Sequence, residues 1–386
     1  MKLSVISFTD RGIVLSKRIR ESFFRELDIT LYTKHKRYAQ LKGLDYEKSE
    51  DKKAIDHLIR TEKQGEEASS LNLILYVEES LSQWTKEQFQ NHHALVFIGA
   101  CGIAVRAIAP YVKDKLKDSP VLVIDEGGSF IIPILSGHFG GGNELATVIA
   151  ERIGATPVIT TATDVNGLFA VDVFARKNQL EICNREGIET ISSAILAGEE
   201  VTIAIHSDQL ILQYHDFLPK ELTFVPYSLK NHVSILISPY DADRGLAELQ
   251  LCPKAYVIGI GCRRGKSFEE IDAFVKRQIT EAGVMWEAVL AIASIDRKQD
   301  ELGLLEFSKY YELLFHTFTS ETLKSVDGEF LSSSFVEEQV GVDNVCERAA
   351  MAVCGESGKL VMKKAAENGI TVAIAEKRWS VIFDEA

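Results

Sequence analysis

The run Ser136-Gly137-His138-Phe139-Gly140-Gly141-Gly142-Asn143-Glu144 gathers four glycines, an imidazole and a carboxylate into nine residues. Glycine lets a backbone adopt positive φ and approach a ligand closely. Asn143 reads as the N-cap of a following helix, and free N–H groups at a helix start, aided by its dipole, can seat an anion. Gly137, Gly140, Gly141, Gly142 and Asn143 are therefore candidate binding residues. His138, whose residue type changes charge near neutrality, is a candidate general base, with Glu144 as a further acid–base group. The competing reading is a plain strand-to-helix connection, although such glycine density is costly in a mere connector.

Three other loops carry polar chemistry. Asp125-Glu126-Gly127-Gly128 follows a buried run, and in open parallel sheets ligands bind beyond the carboxyl ends of strands. Asp125 and Glu126 could act as acid, base or orienting group for His138, or form an ordinary turn. Gly99-Ala100-Cys101-Gly102 also follows a buried run, with Arg106 one helical turn on. Gly102 and Arg106 are candidate binding residues, whereas Cys101 reads as a small buried loop cysteine. Thr160 to Gly167 supplies hydroxyls and amides, among them Thr161 and Asp164, that suit ligand contacts and Asx- or ST-turns equally. Further on, Gly259-Ile260-Gly261-Cys262-Arg263-Arg264-Gly265-Lys266-Ser267 suggests a phosphate loop, but the match fails: G-x-x-x-x-G-K-[ST] requires glycine at Ile260, and G-x-G-x-x-G fails at Arg264. A generic anion cradle remains, built on Gly261, Arg263, Arg264 and Gly265, with guanidinium groups suited to carboxylates.

The elements that must position these loops read as an α/β pattern, short β-rich runs alternating with amphipathic helical stretches. Strands are expected at 3–8, 94–98, 121–125 and 130–135, and helices at 12–27, 103–116 and 144–153. Residues 168–250 carry β-leaning runs at 201–205, 209–213 and 233–237, and 238–253 reads as a linker. A new unit then opens with strand 256–260, a glycine loop at 261–265, helix 268–282 and strand 288–293, and continues to a final strand at 370–375. A helix start is expected after Ser332–Ser334, and a helix over 345–353. The fold class is α/β and multidomain, with parallel or mixed sheets flanked by helices. An N-terminal α/β domain is expected over 1–165, a smaller middle domain over 166–250 and a separate α/β C-terminal domain over 254–386.

At 386 residues the chain is too long for one ordinary core. A formal net charge of −13 argues against broad nucleic-acid binding. The basic surplus within residues 1–60 is scattered and reads as a solvated helical face. Six dispersed cysteines, none in a C-x-x-C pair, fit a reducing compartment and a cytoplasmic location. No apolar run approaches the roughly 20 residues of a membrane helix. The nine histidines are dispersed, and the His92-His93 pair lacks a clustered carboxylate, so no protein-bound metal is expected.

In combination the motifs are specific. A-L-V-F-I-G-A-C-G-I-A-V-R-A-I-A-P, V-I-D-E-G-G-S-F-I-I-P-I-L-S-G-H-F-G-G-G-N-E-L-A and T-P-V-I-T-T-A-T-D-V-N-G resemble the amino-terminal region of cobalt-precorrin 5A hydrolases. V-I-G-I-G-C-R-R-G-K-S, A-S-I-D-R-K, E-L-G-L-L-E and G-V-D-N-V-C-E-R-A-A resemble that family's carboxy-terminal domain. One departure is Cys101, where relatives often carry threonine, which argues against an essential nucleophile there. The resemblance implies a cobalt-containing, ring-contracted tetrapyrrole substrate whose δ-lactone is opened by water before a two-carbon unit leaves as acetaldehyde. No cofactor is implied, because the cobalt belongs to the substrate. His138 would then be the general base, helped by Asp125 or Glu126, with the amides of Gly140–Gly142 facing the oxyanion and Arg106, Arg263 and Arg264 binding carboxylates. The same base would deprotonate the freed hydroxyl. Neighbouring pathway enzymes are possible partners and a homo-oligomer stays open. A non-catalytic tetrapyrrole carrier and a nucleotide-dependent enzyme are the alternatives; acetaldehyde release and nucleotide binding would discriminate them.

Overall fold

The structure, a computed structural model, describes residues 2–23, 26–36, 38, 74–91, 94–207, 210–213 and 219–383. The His92-His93 pair and part of the basic surplus lie outside these residues. The chain forms two compact units, Met1–Asn166 and Gly167–Ala386.

The first unit runs β1 (Lys2–Ser7), α1 (Asp10–Ser22), β2 (Asp28–Thr33), β3 (Leu75–Tyr76), α2 (Leu81–Gln90), β4 (Ala94–Ile98) and α3 (Cys101–Ile108). It continues with β5 (Val121–Ile124), β6 (Phe130–Leu135), α4 (Gly142–Ile153), β7 (Thr156–Pro157) and α5 (Ala162–Asn166). The strands make one sheet in the order β3-β2-β1-β4-β5-β6-β7. β1 and β4 are buried along almost their whole length, as expected of strands covered on both faces. One apolar core packs α1 and α4 on the sheet through Ile13, Ile19, Leu145 and Ile149, and a second packs α2 and α3 through Trp84, Ala104 and Ile108.

Every neighbouring pair in this sheet is parallel except β5 and β6, which run antiparallel with Val121 opposite Leu135 and Ile124 opposite Ile131. The reversal decides where the loops go. The loops after β4 and β5 leave at one edge of the sheet. The loop after β6 leaves at the other, a four-residue strand away, or about 13 Å at 3.3 Å per residue.

In the second unit, α6 (Val171–Lys177), β8 (Leu180–Ile182), α7 (Glu186–Ala197), β9 (Val201–Ile205), β10 (Leu210–Gln213), β11 (Leu222–Phe224), β12 (Val233–Ile237) and β13 (Ala247–Pro253) come first. They form a mixed sheet, β11-β9-β12-β13-β8, with β8 antiparallel at one edge; β10 pairs elsewhere. The segment expected as a linker therefore holds β13, an internal strand; of its two prolines, Pro239 precedes the strand and Pro253 stands at the strand's last position. Then follow β14 (Tyr256–Cys262), α8 (Phe268–Glu281), β15 (Val289–Ile295), α9 (Leu302–Tyr310), β16 (Leu314–Phe318), α10 (Ser320–Lys324), α11 (Ser334–Val340), α12 (Cys346–Cys354), β17 (Lys359–Glu367), β18 (Ile370–Glu376) and β19 (Trp379–Ile382). Their sheet order is β16-β15-β14-β18-β17. β19, beyond the expected last strand, pairs with β10. The expected α/β class, with mixed sheets flanked by helices, is the one observed.

Candidate functional site

The glycine-rich loop coils on itself. Gly142 N–H donates to the Ser136 carbonyl at 3.1 Å, Asn143 N–H to Gly137 at 2.8 Å and Gly141 N–H to His138 at 2.9 Å. A Cβ on Gly137 would stand 2.5 Å from Asn143 Oδ1, so glycine there is a matter of contact. The helix cap is Gly141, with φ +78°, rather than Asn143. Asn143 lies inside the first turn and is buried. Of the Gly140–Gly142 amides expected to face an oxyanion, those of Gly141 and Gly142 are already engaged within the loop.

The buried Asn143 fastens the loop after β6 to the segment after β7. Its Nδ2 donates to Thr161 Oγ1 at 2.9 Å and to Asp164 Oδ2 at 2.8 Å. The same Asp164 oxygen lies 2.7 Å from His138 Nε2, and Thr163 Oγ1 is 2.9 Å from that nitrogen. An ionised carboxylate only accepts, so Nε2 carries the proton and the ring's lone pair is on Nδ1. The His138 side chain is 19% exposed. An imidazole with its tautomer set by a carboxylate can take a proton from water. Asp164 is thus the orienting carboxylate, and Thr163, not singled out from sequence, joins the cluster. The segment expected as a loop at 160–167 contains α5, which holds Thr163 and Asp164 together.

The other candidates lie elsewhere. Asp125 Oδ1 accepts from Ser129 and Phe130 N–H at 2.8 and 2.7 Å, and Oδ2 from Gly127 N–H at 3.0 Å, so its carboxylate builds the β5–β6 turn. Glu126 accepts from Thr9 Oγ1 at 2.8 Å. Both sit at the sheet edge opposite His138, as do Gly102 and Arg106. Arg106 donates to the Gly102 carbonyl at 3.0 Å. Cys101, expected to be buried, is exposed as the first residue of α3. Glu144 is exposed in the first turn of α4.

The cradle at 261–266 is filled by the chain's own carboxylates. Gly261 belongs to β14, opposite Thr371, and Arg263 N–H donates to Gly369. Gly265 N–H donates to Glu301 Oε1 at 2.6 Å, and Lys298 Nζ to Glu301 Oε2 at 2.9 Å. Arg264 pairs with Asp300 at 3.2 Å, and Lys266 with Glu270 at 2.6 Å. Burial works to raise the Glu301 pKa, but the Lys298 ammonium and the Gly265 amide outweigh it and leave it lowered. Among the described residues no group of three or more His, Cys, Asp and Glu could hold a metal ion, and no helix is long and apolar enough to cross a membrane.

Three family models match the chain. The family model described as cobalamin synthesis G N-terminal matches residues 83–164, that of the cobalamin biosynthesis central region 169–253, and that of the cobalamin synthesis G C-terminus 256–375. A cobalt-precorrin-5A hydrolase of Salmonella typhimurium is 34% identical over 302 residues, covering 75% of this chain and 83% of that protein. The chain belongs to the CbiG family. Its likeness extends to a cobalt-precorrin-5A hydrolase of Priestia megaterium, 31% identical over 74% of this chain and 79% of the relative. A probable cobalt-precorrin-5A hydrolase of Methanocaldococcus jannaschii is 32% identical over 74% and 86%. The N-terminal CbiG region contains every residue of the His138–Asp164 cluster.

Proposed function

We propose that this protein hydrolyses the lactone of a cobalt-bearing, ring-contracted tetrapyrrole, after which the freed two-carbon unit leaves as acetaldehyde. Family membership supports the substrate class. The observation that carries the chemistry is the 2.7 Å contact between His138 Nε2 and Asp164 Oδ2, fixed in turn by Asn143. His138 Nδ1 takes a proton from water, whose oxygen adds to the lactone carbonyl carbon. The ring C–O bond then breaks, and the imidazolium returns the proton to the departing alkoxide. Asp164 holds the imidazole and stabilises its charge. The cobalt stays with the substrate throughout.

The test is anaerobic incubation of the purified protein with the lactone, following ring opening and acetaldehyde. His138→Ala should lose about 10²–10⁴-fold in turnover while still binding substrate. Near-normal turnover would remove His138 from the mechanism, and a wild-type protein that binds the lactone but leaves it intact would be a carrier.

A further inference from the structure

A second oriented imidazole stands at the carboxyl edge of the middle sheet. β9 pairs in parallel with β11 on one side and β12 on the other, and each of the three delivers a residue just beyond its end. His206 follows β9, Tyr227 lies three residues past β11, and Ser238 follows β12, leading into Tyr240 and Asp243. That is the edge at which open parallel sheets hold ligands.

Asp243 is the centre of the cluster, with its side chain only 1% exposed. Tyr227 Oη donates to Asp243 Oδ1 at 2.5 Å, Ser238 Oγ donates to Oδ2, and His206 Nδ1 lies 2.6 Å from Oδ2. Burial, helped by the neighbouring carboxylate, pushes the Tyr227 hydroxyl up to about 12, so it remains a donor. With all three partners donating, His206 carries its proton on Nδ1 and its lone pair on Nε2. The ring is clamped against Tyr227, 3.8 Å between centroids and 13° from parallel, and tilted against Tyr240 at 4.6 Å. Its side chain is nonetheless 33% exposed.

A carboxylate serving only the β12–β13 turn would be satisfied by Ser238 and Tyr227, one on each oxygen. The imidazole is an additional donor, and it is the only group of the three that offers a basic nitrogen on its far side. Fixing a ring by carboxylate, hydroxyls and stacking costs side-chain freedom that a surface histidine would keep.

We propose that His206 is a second proton acceptor, with Asp243 and Tyr227 as its positioning residues, acting on the hydroxyl-bearing compound left by lactone opening; this rests on the reading above. Nε2 takes the proton of the freed secondary hydroxyl. The oxygen's electron pair becomes the C=O bond of acetaldehyde, and the carbon–carbon bond to the macrocycle breaks. Its electron pair passes to the macrocycle carbon, which gains a proton from the imidazolium or from water. No oxidant or reductant is needed.

His206→Asn tests this, because the asparagine Nδ2 can replace Nδ1 against Asp243 while Nε2 is lost. Quenched time courses with the lactone, read by mass, should show the reaction stopping at a species heavier than substrate by one water. Acetaldehyde release should fall about 10²–10⁴-fold. Acetaldehyde release at the wild-type rate, or a block at the intact lactone, overturns the assignment. Thermal unfolding checks that the variant is folded, and His206→Gln replaces it, with the same outcomes, if it is not. Nitrogen NMR of histidine-labelled wild-type protein gives an independent reading: a proton on Nε2 in place of Nδ1 overturns the assignment whatever the substrate does. Wild-type protein inert toward the lactone would sink the proposed function itself, a failure distinguishable from these.

Discussion

Asp164 has the role that the sequence suggested for Asp125 or Glu126, and the difference is one of connectivity rather than residue type. A carboxylate that opens a tight turn can be consumed by the backbone amides that follow it, as Asp125 is by three. One brought in from a separate strand end is available to orient a side chain. Asp164→Asn should therefore lower turnover by about 10²–10⁴-fold through loss of the tautomer, with KM nearly constant, as steady-state kinetics on the lactone will show. An equal fall in substrate affinity would make Asp164 a binding group. Cys101 supplies the contrasting case. It is exposed, at the sheet edge away from His138, so Cys101→Ser should leave turnover where it was; a large loss would reopen covalent catalysis.

The loop elements make their own predictions. Gly137→Ala drives a methyl against Asn143 Oδ1, and Asn143 holds both Thr161 and Asp164. Overpacking of this kind costs about 1–3 kcal/mol, and here it should also loosen His138, so urea midpoint and turnover fall together. A stable but inactive variant, or an active one, would break the proposed link between loop shape and dyad. In the second unit the lowered Glu301 pKa means that the unfolded chain binds its proton first as pH falls. The stabilisation is present above the unfolded value of 4.5 and is lost as pH drops through the folded value. Urea midpoints measured below pH 4.5 should therefore decline, and Glu301→Gln should flatten that part of the curve; an unchanged slope refutes the pairing. The strands and helices around both loops were legible because burial repeats along short runs, so β4 and β6 match the expected bounds. What was missed is pairing direction. The signal was present: only Asp125 to Ser129 separate β5 from β6, and five residues cannot return a chain to a parallel neighbour, which needs a dozen or more. That turn alone sends His138 to the far edge. The Asp243 cluster gave no comparable local signal, because its members come from three separate strand ends.

At the scale of the whole molecule, charge opposes the proposed substrate. The chain carries −13 formally, and a tetrapyrrole with acetate and propionate arms is itself a polyanion. The arginines first assigned to binding do not simply offset this: Arg264 is paired with Asp300, and the Gly265 amide already holds Glu301. Long-range repulsion should then slow encounter at low ionic strength, where the screening length is about 30 Å, and fade near 0.15 M, where it is about 8 Å. The expected outcome is a kcat/KM that rises with added potassium chloride across that range while kcat stays level, because only diffusional approach senses the distant charges. A kcat/KM that falls with salt would mean that a local basic funnel dominates the net field. Recognition of the carboxylates would then return to the arginine-bearing loops, and the self-occupied cradle at 261–266 would have to open before substrate could enter it.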